Sequence, residues 1–157
     1  KTSYLAHLGP EPLDKNFTYE KLEERLKKKP NGKIKTVLMD QTVVAGIGNI
    51  YSDEILWQAG INPKRRVSTL LRQGSEGQEI KSIFKAMREI LNKSIKFGGD
   101  SMSDYINISG EKGKFQLHHQ AYRRTGEKCR KNGCKGIIKR KMVNGRSAHF
   151  CSIHQAL

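Results

Sequence analysis

The strongest constraint on the fold lies near the C-terminus. Cys129 and Cys134 in CRKNGC, and Cys151 and His154 in CSIH, form two pairs with C-x4-C and C-x2-H spacing. Sixteen residues separate Cys134 from Cys151, and they hold two strand-like runs, GIIKRKMV and RSAHF, joined by Asn144-Gly145. Asn-Gly between such runs signals a two-residue hairpin, because a type I′ turn needs positive φ at both central positions. A hairpin folded this way carries both pairs to one end. Three cysteines and one histidine meet the four-ligand tetrahedral demand of zinc. A disulfide would leave one of the three cysteines over, and nothing in the sequence suggests secretion. His149 is the rival to His154. It sits on the strand ahead of Cys151, its side chain is expected to point away from that ligand, and His154 is preferred. A module this small and charged also has little apolar surface to bury, so a bound metal would supply much of its stability.

Charge is the second constraint. The 157 residues carry a formal net charge of +15. Twelve of the Lys and Arg residues lie from Lys112 onward, against a single acid, Glu127. Such an excess predicts a polyanionic partner, nucleic acid before an anionic membrane. No apolar run approaches the length of a membrane span, and no signal peptide or lipidation motif is evident, so no membrane partner is expected.

The remainder is helical in pattern. Residues 7–17, HLGPEPLDKNF, are expected to form an extended linker punctuated by Pro10 and Pro12. Thr18 fits an N-cap for a helix over 19–29, with Leu22 and Leu26 on one face. Residues 33–40 predict a short second helix through Ile34, Val37 and Leu38. A third is expected over 49–59, closed by Gly60 as C′. Ser68 is a candidate cap for a short turn. The longest helix is expected over 76–97, burying Ile80, Ile83, Phe84, Met87, Ile90, Leu91 and Ile95. Residues 108–116 are expected to form an irregular surface loop. The fold class is therefore mainly α, a small helical bundle followed by a β-hairpin metal finger.

Between the second and third helices lies VVAGIGN (43–49). Its G-x-G does not make a dinucleotide fingerprint, because the third glycine would be Tyr51 and no strand plainly precedes it. Two readings remain. The glycines let helices pack closely, or they open the mouth of the third helix, where free N–H groups, the helix dipole and the Asn49 amide would receive a phosphate.

HLGPEPL, MDQTVVAGIGNIYSDEIL…AGINP, the GG…DY stretch and the terminal cysteine hairpin together resemble the C-terminal half of the formamidopyrimidine-DNA glycosylase/endonuclease VIII family. The resemblance covers about residues 7–154. It implies a helix–two-turn–helix DNA-binding domain over 18–107, a loop and connector over 108–121, and a zinc finger over 122–157. Residues 1–17 would be the linker from an N-terminal catalytic domain. Family members excise oxidised bases and cleave the abasic strand by β,δ-elimination. By the same resemblance Asn49, with Gly48 beside it, would hold backbone phosphates, and Arg146 at the hairpin tip would grip those around the everted nucleotide. Lys35 would lie near the phosphates, and the loop around 108–116 would cover the base.

Two departures stand out. The finger has C-x4-C and C-x2-H where the family has two C-x2-C pairs, and Arg123 replaces the glycine after the tyrosine in the family's YGR stretch. The family nucleophile, an N-terminal proline followed by glutamate, is not matched. Pro10-Glu11 is a decoy, because an internal amide nitrogen has no lone pair for a Schiff base. The expected function is the DNA-binding portion of a glycosylase/AP lyase acting on duplex DNA with an oxidised base or abasic site, as a monomer in the bacterial cytoplasm at the nucleoid. The alternatives are a zinc-ribbon module for RNA or ribosome, and an autonomous lyase using the Lys1 amine.

Overall fold

The structure is a computed structural model and describes residues 7–71, 77–99 and 113–157. Among the described residues, five α-helices precede a two-stranded antiparallel sheet. They are α1 (Tyr19–Lys27), α2 (Ile34–Leu38), α3 (Asn49–Ala59), α4 (Val67–Leu70) and α5 (Gln78–Lys96), followed by β1 (Ile138–Val143) and β2 (Arg146–Cys151). Thr18 caps α1 by accepting the Lys21 N–H, and Leu22 and Leu26 form its buried stripe. Gly60 closes α3 in the left-handed conformation that a residue with a Cβ resists. Ser68 lies inside α4, whose N-cap is Arg66.

The helices enclose the larger core, built from Leu22, Leu26, Ile34, Leu38, Ile55, Leu56, Ile80, Ile83 and Met87 among others. On α5 the expected stripe holds through Ile90, but Ile95 at the C-terminal end is 67 % exposed. Residues 7–17 lie docked against the helical core. The Gly9 N–H donates to the Gln41 carbonyl, the Ala45 N–H donates to Pro10, and Pro12 and Phe17 are buried. A Cβ on Gly9 would lie 2.6 Å from the Val43 carbonyl carbon, so only glycine lets this strand of chain lie against the 40–48 turn. The expected surface loop over 108–116 is corrected in its described part. Gly113 is buried, and Phe115 opens a 3-10 turn over 115–118 and enters the core beside Tyr51. Residues 108–112 lie outside the described residues.

The second core is small: Trp57, Ala121, Cys129, Ile138 and Cys151. Its hairpin pairs Ile138 with Cys151 and Val143 with Arg146. Asn144 and Gly145 turn with φ of 48° and 83°, as a type I′ turn requires. Helix α3 is shared. It packs along α5 on one side and β2 on the other, and Trp57 belongs to the second core while Ile55 and Leu56 belong to the first. Every residue from Ser52 to Trp57 is buried, polar ones included.

Candidate metal centre and nucleic-acid interface

The hairpin and its flanking knuckles bring Cys129, Cys134, Cys151 and His154 together, with their ligand atoms all within 4.8 Å of one another. Cys134 Sγ lies 3.6 Å from Cys151 Sγ, and Cys129 Sγ lies 3.3 Å from His154 Nδ1. Zinc–sulfur and zinc–nitrogen bonds of about 2.3 and 2.0 Å put tetrahedral ligand atoms about 3.5–3.8 Å apart, so the cluster has the dimensions of such a site. The sulfur separation is too long for a disulfide.

The surroundings suit thiolates. Each sulfur has a backbone N–H from two residues further on, from Lys131 for Cys129, Gly136 for Cys134 and Ile153 for Cys151. The Gly136 N–H holds the Cys134 thiol below its ordinary pKa, whereas burial pushes the Cys129 thiol up. His154 Nε2 lies 2.9 Å from the Trp57 carbonyl oxygen. With the proton placed there to donate, Nδ1 is left with a lone pair facing the sulfurs. Burial lowers the His154 pKa, which favours the neutral ligand form. Gly136 is required by proximity, since a Cβ there would collide with Cys151 Sγ and lie 2.8 Å from Ile153 Cγ1.

His149 stands apart from the cluster, but not because of strand alternation. Residues 149 and 151 share a face of β2. His149 is instead drawn to Asp53 of α3, which lies 2.8 Å from its Nδ1 and accepts its backbone N–H at 3.0 Å. Beside Asp53, Glu54 accepts the N–H groups of Gln120, Ala121 and Tyr122 at 2.6, 3.0 and 2.8 Å. Burial raises its pKa, opposed by these three donors. These contacts, with Gln155 bonded to the Ile61 carbonyl and Asn62 bonded to the Gln155 carbonyl, fasten the finger to α3.

Arg146 opens β2 next to the turn and is exposed. Its guanidinium has no hydrogen bond or ion pair among the described residues, and it lines a cleft with Lys35, Thr36, Met39, Asp40, Val143 and Asn144. At the mouth of α3 the N-cap is Gly48, which offers no capping side chain. Asn49 Oδ1 is buried and has no hydrogen-bond partner among the described residues. Gly46 has φ of +86°, while Gly48 is extended, and a Cβ on either would meet nothing within 4 Å. Close helix packing therefore does not account for the pair. Gln41 holds the turn from inside, its Oε1 accepting from Gly46 N–H and its Nε2 donating to the Met39 and Ile47 carbonyls.

Lys35 also lines the Arg146 cleft from α2, with its ammonium turned inward. It is 1 % exposed, and its Nζ donates to Asp53 Oδ1, Ser52 Oγ and the Asn49 carbonyl. An ammonium has three donors, and these partners occupy them all. Burial lowers its pKa and the Asp53 charge opposes that fall.

Residues 8–106 match the family described as the formamidopyrimidine-DNA glycosylase H2TH domain. The chain belongs to this family. A formamidopyrimidine-DNA glycosylase of Prochlorococcus marinus subsp. pastoris is 44% identical over 147 residues, covering 94% of this chain and 48% of that protein. One from Afipia carboxidovorans is 44% identical over 149 residues, covering 94% and 50%. Among solved structures, the Thermus thermophilus MutM (Fpg) protein superposes with a TM-score of 0.84 at 36% identity, covering 96% of this chain and 55% of that one. The Lactococcus lactis Fpg complex with abasic-site DNA gives 0.83 at 40% identity, covering 96% and 52%. The chain thus spans about half the length of the curated family members it matches.

The sequence did not point to Asp53 or Glu54. The one local sign was a pair of carboxylates inside YSDEILW, flanked by apolar residues on every side of the helix.

Proposed function

We propose that this chain is the DNA-gripping portion of a bifunctional glycosylase/AP lyase of base-excision repair, which removes oxidised purines and cleaves the abasic strand. The N-terminal Pro-Glu chemistry of the family would come from the half of its relatives' length that this chain does not span. The reading takes the chain as a monomer acting at the bacterial nucleoid.

The observation that carries it is the exposed guanidinium of Arg146, unpaired among the described residues, in a cleft walled by α2. Lys35, in that wall, bonds the first residue of α3, whose uncapped mouth presents Asn49. A guanidinium fork binds a phosphate through two parallel N–H donors, and a helix N-terminus offers backbone N–H groups to a neighbouring one. Gly48 leaves open space at that mouth for a sugar-phosphate backbone. Lys35, with its donors occupied, serves the grip by holding the first turn of α3. Chemistry on a duplex base requires that base to leave the stack, and gripping phosphates on both sides of it favours that distorted backbone. Zinc, held by Cys129, Cys134, Cys151 and His154, would supply structural stability to the hairpin that carries Arg146.

The test is fluorescence anisotropy of the zinc-loaded chain on an abasic-site duplex, with borohydride trapping alongside. Salt-dependent binding that prefers the abasic duplex to undamaged duplex and RNA, without a covalent adduct, is expected. A preference for RNA would refute the repair reading. A trapped adduct would show that the chain carries its own amine nucleophile.

A further inference from the structure

Asp53 lies at the centre of α3 and is 1 % exposed. Its two oxygens face different elements. Oδ1 accepts from Lys35 Nζ of α2 at 2.5 Å, and Oδ2 accepts the His149 backbone N–H of β2 at 3.0 Å and lies 2.8 Å from His149 Nδ1. A single carboxylate therefore ties three elements. On one side, Lys35 passes the tie to the Asn49 carbonyl at the mouth of α3. On the other, His149 lies three residues along β2 from Arg146, which pairs with Val143 where the hairpin closes.

Burying a carboxylate and an ammonium together is a poor route to stability, because desolvation consumes much of their attraction and an apolar trio of the same volume would do as well. Such a network does fix direction. Hydrogen bonds constrain angle and distance where apolar contacts allow sliding. The placement matters because Arg146 stands at the tip of a two-stranded ribbon, and a ribbon of that kind is only marginally rigid by itself.

Resting on the DNA-binding reading above, we propose that Asp53 is a positioning residue for the phosphate grip: through Lys35 and His149 it sets Arg146 at a fixed distance from the Asn49 mouth of α3. Asp53 itself touches no phosphate.

The experiment compares wild type, Asp53→Asn, Arg146→Ala and the double variant as zinc-loaded full chains. Anisotropy on an abasic-site duplex is measured over a series of salt concentrations. Asparagine keeps the size of the side chain but loses its charge and one acceptor. Arg146→Ala is expected to lower the salt slope by about 1, and Asp53→Asn to lower it comparably while weakening binding about tenfold. In the Arg146→Ala background, Asp53→Asn is expected to cost nothing further. Losses that add in full, or unchanged binding by Asp53→Asn, overturn the proposal. Amide hydrogen exchange supplies a readout without DNA. The His149 amide is expected to exchange faster in Asp53→Asn, while the Gly136 and Ile153 amides beside the cluster sulfurs keep their protection. An unchanged His149 amide, or a general loss of protection, overturns the positioning role. A wild-type chain that binds no DNA overturns the functional reading, and the proposal with it; a binding wild type with additive losses overturns the proposal alone.

Discussion

Glu54→Gln isolates the join between the helices and the finger. Glu54 is 1 % exposed, and its Oε1 accepts one backbone N–H while Oε2 accepts two. Glutamine has one acceptor oxygen and an NH2 group. Whichever way the amide turns, at least one of the three N–H groups faces another donor. A buried donor left without a partner costs about 1–3 kcal/mol, and loss of the negative charge weakens each surviving bond by about 1 kcal/mol. Relief from burying a charge returns part of this, since isolated buried carboxylates are themselves costly. The expected net loss is about 3 kcal/mol. Urea denaturation of the zinc-loaded chain measures it, with fluorescence read from Trp57, the sole tryptophan, whose ring meets the His154 ring edge-on at 5.2 Å. Far-UV circular dichroism follows the helices in parallel. A change below about 0.5 kcal/mol, the range of an ordinary surface substitution, would refute the assignment of this carboxylate as the anchor of residues 120–122.

Three further outcomes are expected. Gly136→Ala forces a methyl group against Cys151 Sγ and should weaken zinc binding about tenfold or more, read by competition with a chromophoric chelator; undiminished affinity would mean the knuckle is looser than described. Chelation of the metal should shift Trp57 emission and remove exchange protection from residues 138–151 while helical dichroism persists, and protection that survives chelation would show that the metal does not hold the hairpin. Asp40 has its carboxyl pKa lowered chiefly by the Thr42 hydroxyl. It therefore contributes stability that is present above the ordinary carboxylate pKa and lost as pH falls through the lowered value. Asp40→Asn should flatten that acid limb in pH-dependent thermal melting, and an unaltered limb would remove Asp40 from the account.

Features encoded within a few residues were legible in the sequence. Asn144-Gly145 specifies its own turn through the φ angles it tolerates, the cysteine spacing follows from that turn, and Leu22, Leu26 and the stripe from Ile80 to Ile90 announce their faces by period. What escaped was encoded across long separations. Asp53 finds its partner 96 positions away at His149, and Glu54 finds its own 66 to 68 positions away. A carboxylate on a helix ordinarily marks the solvent side, and nothing local to YSDEILW names the distant N–H groups that make burial tolerable. Lys35 escaped for the same reason: its residue type fits a phosphate ligand, and only the fold shows that its three donors have taken internal partners. The docked segment at Gly9 was hidden because its requirement is steric and is set by the Val43 backbone.

The sharing of α3 between the two cores has a practical meaning for anyone recombining relatives of this protein. A finger transplanted on its own would arrive without Trp57 beside its histidine and without the acids that receive residues 120–122 and 149. Asp53 and Glu54 left behind in this chain would meanwhile be buried without their partners. The smallest portable unit is therefore Lys35, residues 49–62 and everything from residue 119 onward, stretches far apart in the chain that have to be exchanged as one.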